Sequence, residues 1–109
     1  MIIDQVQEAL RDRSLVSNPH LCATYRSELS GEYSYLVGQL EDIKARKPLV
    51  WLEMRKEHKS DSSTNRAYEA TEDGMNEVQL RGKLKRVEKL MQGLNSLIKI
   101  AEQEAFHVI

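Results

Sequence analysis

Apolar residues recur at alternating intervals of four and three along Leu80, Leu84, Val87, Met91, Leu94, Ile98, Ala101, Ala105 and Val108. That spacing predicts a helix with a single apolar stripe, suited to packing along a partner helix. The stretch contains no proline, and at 1.5 Å of rise per residue it forms a rod roughly 40 Å long. Leu80, Leu84, Val87, Met91, Leu94 and Ile98 therefore stand as a candidate seam for self-association.

Two further segments share the helical period. Ile2, Ile3, Val6, Ala9 and Leu10 predict a short amphipathic helix over 2–13, with a connection through 17. Asn18 followed by Pro19 reads as an N-cap with proline at the first helical position. It opens a helix carrying Cys22, Tyr25, Leu29, Tyr33, Leu36, Leu40 and Ile43. Gly31 and Gly38 inside it each weaken intrinsic helicity by about 1 kcal/mol relative to alanine, and mark a candidate close approach of another helix. Pro48 is expected to bend or break this 18–59 element, leaving 49–59 as a third helical segment. Residues 60–74 read as a polar loop, a short helix from Arg66 to Thr71 and a hinge at Asp73-Gly74. The heptad helix then occupies 75–109. No segment alternates with period two, so strands are not predicted.

The predicted architecture is thus all-α: one domain of 109 residues, a hairpin of two long helices with shorter flanking helices, coiled-coil-like packing and oligomerisation to complete a modest core. Charged residues make up 30 % and hydrophobic residues 40 % of the chain, a balance that suits a helix-rich soluble protein better than a β-sandwich or a disordered tail. The longest apolar run, Leu49 to Leu52, is too short to span a bilayer. The opening residues MIIDQVQ lack the basic and apolar regions of a secretory signal, so a cytoplasmic location is expected, the host's if the protein is phage-encoded. Cys22 is the single cysteine and reads as a small core residue.

The overall charge of −1 conceals four blocks. Residues 1–43 carry net −4, 44–59 net +4, 60–80 net −4 and 81–89 net +4. Folding back at the polar hinge would bring the two basic blocks together as one patch. In the first block Lys44, Lys47, Trp51, Arg55 and His58 fall on one face of a continuous helix. An aromatic among cations suits single-stranded nucleic acid, because any base stacks on the ring while the cations follow the phosphates. The competing reading packs Trp51 in the core with Leu49, Leu52 and Met54 and leaves the charges solvated. In the second block Arg81, Lys85 and Lys89 repeat every four residues, as a solvated flank or as a pairing surface for acidic residues of a neighbouring helix.

Catalytic signatures are not found in the sequence: His20, His58 and His107 are scattered, and there is no nucleophile elbow, phosphate-binding glycine loop or cysteine pair for zinc. Glu104 and His107 have the Glu-x-x-His spacing of di-iron bundles, but no second copy accompanies them, so a C-terminal turn with an exposed histidine is the plainer reading. Ser62, Ser63 and Thr64 read as a helix-start cluster. No enzyme activity, cofactor or metal is expected.

The stretch Arg46-Lys47-Pro48-Leu49-Val50-Trp51-Leu52-Glu53, followed by Lys59-Ser60-Asp61, Asn65-Arg66-Ala67-Tyr68, Ala70-Thr71 and a long terminal helix, resembles small helical proteins of tailed-phage early regions. Among named families it is loosely similar to the UvsY-type recombination mediators, over roughly residues 40–105. The resemblance implies an all-helical oligomer that binds single-stranded DNA and helps load or exchange a recombinase or a single-strand-binding protein. It implies backbone contacts by Lys56, Lys59 and Arg66, although the acidic N-terminal half departs from a dedicated DNA binder.

Two functions follow as expectations. One is a DNA-recombination or replication accessory, touching nucleic acid through Lys44, Lys47, Trp51, Arg55, Lys56, Lys59, Arg66, Arg81, Lys85 and Lys89, with homo-oligomerisation through the heptad seam. The alternative is a protein-binding module without nucleic-acid contact, such as a phage assembly factor or an inhibitor of a host protein, in which the charge blocks meet complementary blocks on a partner.

Overall fold

A computed structural model describes the backbone of residues 1–108 and the side chains of 1–105. It is all-helical, with α1 at Ile2–Arg11, α2 at Pro19–Arg55, α3 at Asp61–Glu69 and α4 at Glu72–Val108. No strand occurs among the described residues. The two long helices, α2 and α4, have 37 residues each and pack together as a helical hairpin. Among the described residues no helix is long and apolar enough to cross a membrane. The chain divides into two compact units, one made of Met1–Ser34 and the chain from Lys85 onward, the other of Tyr35–Leu84.

In the first unit α1 buries Ile3 and Val6. It ends where Arg13 takes a left-handed φ of 62° and Ser14 N–H donates to Asp12 Oδ1 at 2.9 Å. Leu15 then plugs the core and its carbonyl accepts from Cys22 Sγ, so Cys22 is the buried core residue its pattern predicts. Asn18 Oδ1 accepts from Leu21 N–H at 3.1 Å, the N-cap expected ahead of Pro19. Arg26 bonds to Asn95 and Tyr33 to Glu88, so α2 and α4 run antiparallel here. Arg86 reaches from α4 to Asp4 and Gln7 of α1. Gly93 admits Leu10 at a distance that an added Cβ would just touch.

The candidate self-association stripe is the inner face of α4. Val87 and Leu94 have no exposed surface and Leu80 has 8 %, all within this one chain, while Leu84, Met91 and Ile98 are half-buried. The chain's own packing thus covers Leu80, Val87 and Leu94 of the seam. The side chain of Val108 and the Glu104-to-His107 fragment's histidine lie outside the described side chains.

In the second unit Leu36, Leu40 and Ile43 of α2 pack with Tyr68 of α3 and Leu80 of α4 as a buried core. Here the boundaries differ from the sequence expectation. The helix is unbroken at Pro48 and stops at Arg55, where the amides of 56, 57 and 58 turn back onto the carbonyls of 53, 54 and 55. Asp73-Gly74 is not a hinge: both belong to the first turn of α4, which begins at Glu72 and is capped by Thr71 Oγ1 accepting from Gly74 N–H at 3.1 Å. Gly31 and Gly38, expected at a close helix approach, have nothing within 4 Å of where a Cβ would stand.

Candidate functional site

The second unit collects most of the residues that the charge pattern singles out. Its short helix α3 starts at a reciprocal cap: Ser63 N–H donates to Ser60 Oγ, and Ser60 N–H donates to Ser63 Oγ. The Ser62-Ser63-Thr64 cluster is thus the helix start that it reads as. Thr64 is fully buried and donates to the Ser60 carbonyl at 2.8 Å. Four residues on, Tyr68 buries its ring under Lys47, whose Nζ lies 4.8 Å from the ring centroid.

Polar contacts fasten α3 and the start of α4 to α2. Trp51 Nε1 donates to Asn65 Oδ1 at 2.8 Å. Arg55 donates to Asp61 at 2.8 Å and to the His58 carbonyl at 2.6 Å. Arg46 forms a two-pronged pair with Asp73 at 2.7 and 2.9 Å. Glu77, only 8 % exposed, accepts from Arg81 at 2.9 Å and from Lys47 at 3.5 Å. The Arg46 guanidinium holds the Asp73 carboxyl below its ordinary value, and Arg81, followed by Lys47, does the same for Glu77 against the opposing effect of burial.

The face of α2 predicted to follow a phosphate chain is therefore its packing face. Lys47, Trp51 and Arg55 turn towards α3 and α4, and Trp51 is half-buried with its N–H satisfied, between the exposed stacking platform and the closed core that the sequence left open. Arg81 spends its charge on Glu77 one turn earlier in α4. Lys56 makes a 3.3 Å surface pair with Glu53, both largely exposed; such a pair is worth little. Lys44, Lys59, Arg66, Lys85 and Lys89 are exposed, and among the described residues none of them has a carboxylate partner. The acids that decide this outcome, Asp61, Asp73 and Glu77, were visible in the sequence only as the −4 block between two +4 blocks. Blockwise alternation signals pairing, but it does not say which acid meets which base.

Tyr68 carries the one unpartnered buried side-chain hydroxyl among the described residues. Burial, then Glu77 and Asp73, push its phenol pKa up, so it stays neutral and gains nothing from its oxygen. Tyr68→Phe is expected to leave the fold intact and raise stability by about 1 kcal/mol, because it removes a desolvated group that bonds to nothing. A urea titration checks this; a loss of stability would reveal a partner for the hydroxyl.

An open groove of about 370 Å³ lies between α2 and α4 of this unit, lined by Gln39, Asp42, Arg46, Asn76, Gln79 and Lys83 among others. Its polar groups include no nucleophile with an adjacent base. Among the described residues no group of three or more His, Cys, Asp or Glu side chains could hold a metal ion. The unit also leaves large apolar side chains outside: Leu49 is 73 % and Leu52 56 % exposed on α2, and Met75 and Val78 are exposed on α4. No protein family, characterised protein or solved structure matches the chain.

Proposed function

We propose that the protein is a non-enzymatic helical module that binds another protein. The observation that carries this reading is the pair of apolar residues, three apart, that each long helix holds out to solvent in the second unit: Leu49 with Leu52, and Met75 with Val78. Residues three apart are neighbours on a helix surface, so each pair forms a small apolar patch. Four nearby cations that a nucleic acid would use, Arg46, Lys47, Arg55 and Arg81, are meanwhile bound to Asp73, Glu77 and Asp61. An interface with an apolar centre and a mixed polar rim is what protein partners recognise.

A second reading keeps the nucleic-acid role implied by the resemblance, as a single-stranded DNA accessory to recombination. It is favoured by Lys59 and Arg66, which are exposed without carboxylate partners, and by Lys56, whose partner Glu53 holds it weakly. One titration separates the two. A labelled single-stranded oligonucleotide followed by fluorescence anisotropy at low and physiological salt is expected to show no binding by the folded protein at micromolar concentration. Salt-sensitive binding that is lost in Lys59→Glu/Arg66→Glu would overturn the protein-binding reading in favour of the second.

A further inference from the structure

Among the unpartnered surfaces of the second unit, the outer face of α2 has a charge order that specifies its occupant. Glu41, Ala45, Pro48, Leu52 and Lys56 are spaced at three or four residues, Leu49 adjoins Pro48 and stands three before Leu52, and all six are exposed. On a helix of about 100° per residue they share an arc roughly 100° wide, opposite the buried Leu36, Leu40 and Ile43. The acid stands at one end of the arc, the base just beyond the last turn at the other, and the apolar residues between.

We propose that this face binds a second copy of the chain, α2 against α2, antiparallel about a two-fold axis between positions 48 and 49. The order of the face is complementary to its own reverse. The axis sets Glu41 near Lys56 of the other copy and Leu52 over the small Ala45, and on the two flanks beside the axis Leu49 meets its own copy and Pro48 its own copy. The Glu41–Lys56 and Ala45–Leu52 contacts each occur twice, as an isologous interface requires. A parallel arrangement sets Glu41 on Glu41 and Lys56 on Lys56 and is disfavoured by like-charge repulsion. Lys56 can change partners readily, since its pair with Glu53 lies at the surface. One helix face some four turns long gives an interface at the small end of the range for specific complexes, so the dimer is reversible, with a Kd on the order of 10 μM.

This inference rests on the protein-binding reading and narrows it to one partner. Sedimentation velocity of the full chain from about 1 to 500 μM is expected to show a concentration-dependent monomer–dimer exchange. Leu49→Asp/Leu52→Asp should remain monomeric throughout while keeping the helical circular dichroism and melting temperature of the parent, since both leucines are exposed. Glu41→Lys or Lys56→Glu alone should weaken the dimer roughly fivefold, and the two together should restore it. A wild-type chain that stays monomeric, a dimer indifferent to Leu49→Asp/Leu52→Asp, or a charge swap that fails to restore association would overturn the proposal. A monomer that also ignores the oligonucleotide leaves the protein-binding reading standing with a different partner, whereas a monomer that binds the oligonucleotide removes both.

Discussion

Leu94→Asp is expected to leave the chain largely unfolded at 25 °C, with most of its 222 nm circular dichroism lost. Leu94 has no exposed surface in the core of the first unit. Removing its side chain costs about 2–5 kcal/mol in lost packing. The carboxylate that replaces it must then be buried without a partner or protonated at neutral pH, and either adds several kcal/mol more. A domain of this size holds only about 5–15 kcal/mol in total. Leu49→Asp is the matched control: the same chemical change at a position 73 % exposed should move stability by no more than about 0.5 kcal/mol. A Leu94→Asp variant that melts within a few degrees of the parent would show that this face of α4 is not a buried seam.

Gly74→Ala is expected to destabilise the second unit by about 3 kcal/mol in urea unfolding, although alanine is the better helix former. An added Cβ would stand 2.7 Å from Glu69 Cα and nearer still to the Tyr68 carbonyl oxygen. Those atoms are backbone and cannot rotate aside. Relief therefore means prising α3 from α4, which strains the Thr71 cap and the Arg46–Asp73 pair beside it. Gly31→Ala and Gly38→Ala make the opposite case, since nothing lies within 4 Å of the new methyl group. Each should stabilise by about 0.5–1 kcal/mol through helix propensity alone. If all three substitutions stabilise alike, the close approach at Gly74 is absent in solution.

The contrast between these glycines shows what kind of information the chain carries openly. Gly31 and Gly38 looked like contact points because they interrupt a long helix, and they prove to be open; Gly74 looked like a hinge because it follows Asp73, and it proves to be the contact point. No glycine has a positive φ, so none is there for backbone freedom. A glycine tells the reader that a side chain is missing, and only the packing tells why.

Local rules, by contrast, were legible. The absence of strands, the Asn18-Pro19 start of α2, the burial of Cys22 and the inward face of α4 all follow from periodicity and capping, which act between residues at most a few positions apart. The heptad stripe announced a seam correctly but not its owner, because an apolar stripe satisfied by the chain's own α2 and one satisfied by another copy have the same period.

Pro48 and the basic blocks were decided by tertiary structure. A proline inside a helix costs about 3 kcal/mol or more and locally argues for a break. Helix α2 nevertheless continues to Arg55, because the turns beyond the proline are tied to α3 through Trp51 with Asn65 and Arg55 with Asp61. Likewise the face carrying Lys47, Trp51 and Arg55 looked like a surface for phosphate because its acids stand elsewhere in the chain: Glu77 lies 30 residues beyond Lys47, and Asp73 27 residues beyond Arg46. The helices and their apolar faces could be read from residue order, since those depend on neighbours along the chain. Which acid neutralises which base was decided only when the helices packed and brought distant charges within reach of one another.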